Sequence, residues 1–317
     1  MVTPGIDAIQ DHLEALHQHL MPVTAADSYY PARPARDRFA IAYTTTDGET
    51  AAVGDCDYPF PLQSVSKVFV YGLALEDNGR KRTLRRVGVE PSGEAYNAFR
   101  FDERNNRPFN PMINTGALAA CNLVRGQDRA EKVARMLDRL RIYAANPDLF
   151  VDEDVLAYEL QHSDRNLGLS YLMRSMGMLD GDVAENLAFY LSVCSVTVTA
   201  RDLAMMGATL ANAGVNPATG ASALARKYRR DVITVMVTCG MYDVAGQWAY
   251  DVGIPAKSGV SGAVVAAMPG RFGLGLYSPG LDGSGHSVRG VAVCRELSSH
   301  YGLHMFAHPA EHQLGRP

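Results

Sequence analysis

Ser64 and Lys67 stand three residues apart in a stretch, residues 61–79, that reads PLQSVSKVFVYGLALEDNG. At that spacing one helical face carries both side chains. From Val65 to Leu75 the stretch is apolar on nearly every side, which marks a buried helix. A lysine on such a helix is costly unless it is paired, neutral or put to use. The amides at a helix N-terminus carry partial positive charge, disfavouring an ammonium and favouring negative charge on Ser64. A lysine of lowered pKa beside a hydroxyl is one way to activate a nucleophile. A Ser cap followed by a snorkelling Lys gives the same spacing without chemistry, so the pair alone decides nothing.

A second cluster lies near the other end of the chain, in Lys257-Ser258-Gly259-Val260-Ser261-Gly262. It offers a cation, a hydroxyl and backbone that can be closely approached, and the Val260 amide is a candidate donor to an oxyanion. Lys257 could equally be an edge-strand lysine that guards against aggregation.

The elements that must position these residues follow from periodicity. Ile6, Ile9, Leu13, Leu16 and Leu20 recur at helical spacing behind Thr3-Pro4, a cap and first helical position. Residues 39–46 and 49–53 flank Asp47-Gly48, a hairpin signal. Gly79 is read as the stop of the buried helix, and Arg80, Lys81, Arg82, Arg85 and Arg86 as a solvated loop. Helices are expected from Asn110-Pro111 to Val124, around Val133 to Leu140, and over 166–176, 183–191, 199–212 and 228–239. Strand character returns over 254–268 and 272–277, before a last helix over 287–299.

Strands at both ends and helices between them predict an α+β fold. One antiparallel sheet is built from both chain ends, with flanking helices and an inserted helical lobe. The expected organisation is a single domain: an α/β lobe from 1–75 and 251–303, a helical lobe over 80–250, and a short tail over 304–317.

The 317 residues and 47% hydrophobic content suffice for a sizeable core. A net charge of -4 argues against nucleic acid or an acidic membrane as the main partner. Neither a signal-peptide pattern nor an apolar run of membrane-spanning length is present. Cys56, Cys121, Cys194, Cys239 and Cys294 are scattered and odd in number, which suits reduced thiols and a cytoplasmic, soluble protein. His304, His308 and His312 mimic a metal stripe, but Pro309 interrupts it, so neither metal nor cofactor is expected.

S-x-x-K early and K-[ST]-G late are the signature of penicillin-binding proteins and β-lactamases. The fuller pattern resembles their relatives, the serine-dependent glutaminases. The likeness rests on residues 62–67, on Val87 to Gly93, and on Asn110-Pro111-Met112-Ile113-Asn114-Thr115-Gly116. It continues through Glu159 with Arg165-Asn166, Tyr190 with Cys194-Ser195, residues 239–242, and residues 255–262.

The resemblance implies a β-lactamase/transpeptidase-like fold. It implies Ser64 as nucleophile and Lys67 as its activator. Gln63, Asn114, Glu159, Asn166, Tyr190, Tyr242, Lys257, Ser258 and the Val260 backbone would surround L-glutamine. Tyr29 matches a further pocket tyrosine by register, with Tyr30 as the alternative. Tyr242, or else Tyr190, would relay a proton to the leaving amine. A homodimer or homotetramer is also implied. Glu159 suits the substrate ammonium, while Asn114, Asn166 and tyrosine hydroxyls suit its carboxylate. Two other readings fit the same motifs: a β-lactamase or D-amino-acid peptidase, and a non-catalytic amino-acid sensor. The missing export pattern weighs against the first, and retention of Ser64, Lys67 and Lys257 together against the second.

Overall fold

The computed structural model describes residues 5–23, 29, 37–94 and 98–307. Strands β1 (Ala40–Thr45) and β2 (Thr50–Gly54) form the hairpin around Asp47-Gly48, with Gly48 at φ 94° supplying the turn. A short β3 (Phe60–Pro61) pairs with β4 (Thr197–Val198). From the far end return β5 (Ala256–Ser258), β6 (Ala263–Met268) and β7 (Phe272–Tyr277). Because β7 lies against β1, with Ala40 opposite Tyr277, the antiparallel sheet is ordered β2-β1-β7-β6-β5. Both chain ends therefore contribute to one sheet, as the strand pattern predicts, in a β-lactamase/transpeptidase-like arrangement.

Alternation along the strands separates two cores. Ile41, Tyr43, Val264 and Ala266 pack with α1 (Ile6–Leu20) and with helices of the C-terminal part. Ala40, Ala42, Ala263 and Val265 face the larger core around α2 (Ser66–Arg86). In α2 every residue from Ser66 to Leu75 is buried, so the polar Lys67 is held in a matrix of packed apolar groups.

Gly79, at φ 75° and ψ 158°, is non-helical and stops the buried segment as expected, but a second helical segment follows it directly and runs to Arg86. The solvated loop expected at 80–86 is therefore helical. Two of its cations are tied down, Arg80 to Asp231 at 2.7 Å and Arg86 to Asp180 at 2.9 Å.

The middle of the chain supplies α3 (Asn114–Leu123), α4 (Arg129–Ala144), α5 (Glu153–Gln161), α6 (Asp164–Ser175) and α7 (Val183–Cys194). It continues with α8 (Ala200–Ala211), α9 (Arg226–Cys239) and α10 (Ala245–Asp251); α11 (Val288–Tyr301) follows β7. Asn110-Pro111 does not open α3. The Asn110 side chain accepts the Met112 N–H at 3.0 Å, making a turn that delays the helix to Asn114. Helix α5 escapes a periodicity reading because it buries only Val155 and Glu159, and α10 because it has seven residues.

Helix α8, expected within the helical lobe, lies on the sheet instead, against β7, β6 and β1. The approach is close: a Cβ on Gly273 would come within 2.0 Å of the Ala208 nitrogen, and one on Gly275 within 2.0 Å of the Ala200 carbonyl. Small residues on both surfaces are what permit it.

Thr3-Pro4, His308, Pro309 and His312 lie outside the described residues, and Gly5 occupies the N-cap position of α1. Among the described residues, no helix is long and apolar enough to cross a membrane, and no cluster of three or more His, Cys, Asp or Glu could hold a metal. The five cysteines are free and buried.

Candidate active site

Ser64 sits in a 3-10 turn, Gln63–Val65, that leads directly into α2. Gln63 adopts φ 49°, a left-handed conformation that a side chain disfavours and that concentrates at functional sites. One turn on, Lys67 directs its Nζ to Ser64 Oγ at 2.9 Å and to Asn114 Oδ1 at 2.8 Å. Burial, the dominant cause, lowers the Lys67 pKa to about 8, while the Cys194 and Cys121 thiols act weakly in the other direction. A neutral amine at this distance can receive the serine proton. Ser66, the neighbouring hydroxyl, is fully buried and turned to Cys194 Sγ at 3.6 Å.

Above Ser64 opens a cleft of about 150 Å³ lined by Tyr29, Gln63, Ser64 and Asn114, and by Glu159, Asn166, Tyr190 and Val260. Eight residues singled out from the sequence thus converge from seven stretches of chain. Three helices supply the far wall. Asn114 begins α3, Glu159 closes the last turn of α5, and Asn166 stands in the first turn of α6. Asn114 Nδ2 donates to Asn166 Oδ1 at 3.0 Å, so one amide links Lys67 to the wall. The carboxylate of Glu159 accepts from Gln63 Nε2 at 2.8 Å and from the Tyr29 hydroxyl at 3.3 Å. Of the two N-terminal tyrosines, Tyr29 is in the cleft, and Tyr30 lies outside the described residues.

The near wall comes from the β5–β6 turn. A Cβ at Gly259 would stand 3.3 Å from the Leu62 carbonyl and 3.3 Å from Val65, so this glycine lets the turn press against the Ser64 turn. Val260 thereby joins Ser64 in the cleft lining.

Lys257, Ser258 and Tyr242 do not line the cleft but stand behind that wall. Lys257 Nζ donates to the Ser258 carbonyl and lies 3.8 Å from the centre of the Tyr242 ring. Burial first, then the charge of Lys67, pushes the Lys257 pKa well below its usual value. The Tyr242 hydroxyl donates to the Ser258 carbonyl at 3.2 Å, and Tyr242 itself has φ 52°. The Ser258 hydroxyl, expected beside substrate, pairs instead with His286 Nδ1 at 2.7 Å. Lys67 Nζ lies 5.8 Å from the Tyr190 ring and 5.9 Å from the Tyr242 ring, so distance does not choose between them. Burial raises the Tyr190 pKa well above its ordinary range, which keeps it a neutral phenol.

Sequence reasoning did not select His162, Leu191 or Cys194 as cleft residues, and it used Arg165 only as a neighbour of Asn166. Arg165 carries a signal in hindsight, since a cation next to a cleft asparagine suits an anionic ligand. His162 stacks on Tyr158 at 4.2 Å, a pairing set by helical spacing.

A family model described as Glutaminase matches residues 28–306. A glutaminase of Nostoc sp. is 50% identical over 270 residues, covering 85% of this chain and 80% of that protein. Glutaminase 2 of Clostridium perfringens is 42% identical over 283 residues, 88% of this chain and 93% of the relative. Among solved structures, that of Mglu matches with a TM-score of 0.90 at 42% identity, over 98% of this chain and 78% of the other. Mglu in its glutamate form matches with a TM-score of 0.90 at 43% identity, over 98% and 72%.

Proposed function

The chain belongs to the glutaminase family, and from that premise we propose that it hydrolyses the side-chain amide of L-glutamine through an acyl-enzyme on Ser64. The observation that carries the mechanism is the 2.9 Å contact between Lys67 Nζ and Ser64 Oγ, buried at the base of a cleft whose far wall holds Glu159.

Glutamine enters with its ammonium toward Glu159 and its carboxylate toward the Asn114 and Asn166 amides and the tyrosine hydroxyls. The side-chain carbonyl then meets Ser64. Lys67 takes the hydroxyl proton as Ser64 Oγ attacks the amide carbon. The amides of Ser64 and Val260 carry the resulting oxyanion. Collapse breaks the C–N bond, and the amine leaves as ammonia after receiving a proton through Tyr242, or else Tyr190. Water, deprotonated by Lys67, cleaves the ester and releases glutamate.

Lys257 supports this cycle from behind the near wall, where it holds the Ser258 carbonyl and lies over the Tyr242 ring. The five buried free thiols support a reducing, cytoplasmic location. A two-fold dimer is the default assembly, since closed symmetry is the common solution for soluble oligomers.

The test is ammonia release from L-glutamine, L-asparagine and D-glutamine, with a chromogenic β-lactam alongside. Asparagine is one methylene shorter and holds its carbonyl short of Ser64; a misplacement of about 1 Å costs on the order of a hundredfold. D-Glutamine exchanges ammonium and carboxylate against Glu159. A strong preference for L-glutamine is expected. Comparable turnover of asparagine would break the clamp geometry, and β-lactam hydrolysis without glutamine turnover would break the reading as a whole.

A further inference from the structure

His286 is 1% exposed and belongs to a loop with no part in the cleft lining. Its main-chain N–H donates to Asp282 Oδ1 at 2.9 Å, and its carbonyl accepts the Asp282 N–H at 2.9 Å, so the loop closes on itself. The imidazole projects from that closure onto the rear of the active site. Its Nδ1 lies 2.7 Å from Ser258 Oγ, and its ring stacks on Tyr242 at 5.3 Å between centroids and 14° between planes. Nε2 is buried as well, and the ring also faces the Met241 carbonyl.

We propose that His286 is a positioning residue for turnover: through Ser258 and the Tyr242 ring it fixes the two groups between which Lys257 is held. The proposal rests on the glutaminase reading above. Tyr242 has the strained φ of 52°, so something outside its own turn must hold it. Lys257 donates to the Ser258 carbonyl and lies over the Tyr242 ring, so both of its anchors pass through residues that His286 touches.

The charged groups facing the imidazole are Lys257 on β5, Asp243 in the turn after Tyr242, and Asp282 in its own loop. Burial, then Lys257, lowers its pKa to about 4, against the pull of Asp282, Asp243 and the Met241 carbonyl. The ring is therefore neutral near pH 7 and places no positive charge beside Lys257.

The substrate clamp is built on α3, α5 and α6, so losing this support should slow turnover without loosening glutamine. The experiment compares kcat and KM for L-glutamine, with the melting temperature, in His286→Ala, His286→Asn and His286→Gln. Asparagine keeps a polar atom at the Nδ1 position, whereas glutamine places its own near Nε2. His286→Ala and His286→Gln should lose about tenfold to a hundredfold in kcat, with KM within about threefold of wild type, as sub-ångström misplacement does. His286→Asn should restore kcat to within about threefold.

Wild-type kcat in His286→Ala would overturn the proposal. So would a His286→Asn no better than His286→Gln, which remains readable if the alanine variant does not fold. A KM rising as far as kcat falls would assign the residue to the clamp instead and overturn it too. Absence of ammonia release by the wild-type protein would break the underlying reading, a separate result.

Discussion

Lys67 and Lys257 are both fully buried lysines within one small region, and they are employed differently. Burial lowers the pKa of each. Lys67 reaches two side chains, Ser64 and Asn114, and both line the cleft. Lys257 reaches a backbone carbonyl and the face of an aromatic ring, and neither of these offers it a proton to take. A depressed pKa therefore says only that an amine is available as a base. What assigns the role is the partner within hydrogen-bond reach.

The sharpest way to break this contrast is to remove the pair that defines it. Ser64→Ala should abolish turnover, and Lys67→Ala should lower kcat by about 10²–10⁴-fold, the range for a lost general base. The double variant should be little worse than the single ones, because the two act as a unit. Steady-state ammonia release measures all three, and near-normal rates in Ser64→Ala would refute the nucleophile.

A smaller effect is expected where binding is at stake. Glu159→Gln removes the carboxylate proposed to face the substrate ammonium, a loss of about 2–5 kcal/mol. That corresponds to a rise in KM of at least roughly thirtyfold with a smaller change in kcat. Trapped acyl-enzyme at saturating glutamine would instead give Glu159 a role in deacylation.

Smaller again is Lys257→Met, which keeps the stem and removes the amine. A kcat loss of about tenfold to a hundredfold is expected, from displacement of its neighbours. A loss as deep as that of Lys67→Ala, measured in the same buffer, would erase the distinction between the two amines.

The smallest effect is on stability, and its sign is informative. The Lys67 pKa is about 8 in the fold and near 10.5 in the unfolded chain, so between these values the unfolded chain binds the extra proton. Stability gains from this residue as pH rises through that window, and the penalty is full below pH 8. Lys67→Met should therefore raise the melting temperature at pH 7, by roughly 2–4 °C for each kcal/mol relieved. The gain should vanish toward pH 10.5. A lower melting temperature at pH 7 would mean that the bonds to Ser64 and Asn114 outweigh burial.

How much of this was legible in the sequence depends on the distance over which the signal acts. The Asp47-Gly48 hairpin, the α1 periodicity and the Ser64–Lys67 spacing are local patterns, and the structure carries each of them. Gly79 does stop the buried segment, but a second helical segment begins directly after it, so the cations there only appeared to be a loop. The seat of α8 on the sheet is written in glycines of β7, a relation between elements that no window along one helix contains. Asn114, Glu159 and Asn166 were chosen through family resemblance, since each is unexceptional in its own helix. His286 was not chosen at all. Its partner Ser258 is distant in sequence, and a lone histidine after Asp282-Gly-Ser-Gly has no chemistry until the loop folds over Tyr242.

The pairing of β1 with β7 has a consequence for how the protein is made. Ser64 is synthesised well before Val260, so the two amides proposed for one oxyanion leave the ribosome far apart in time. The first hairpin leaves the ribosome with an open edge at β1 and must wait for β7 to cover it. Non-local pairing of this kind folds slowly and exposes unpaired strand edges meanwhile. Under the proposed mechanism, a nascent chain that already carries Ser64 lacks the Val260 amide until the β5–β6 turn has been made.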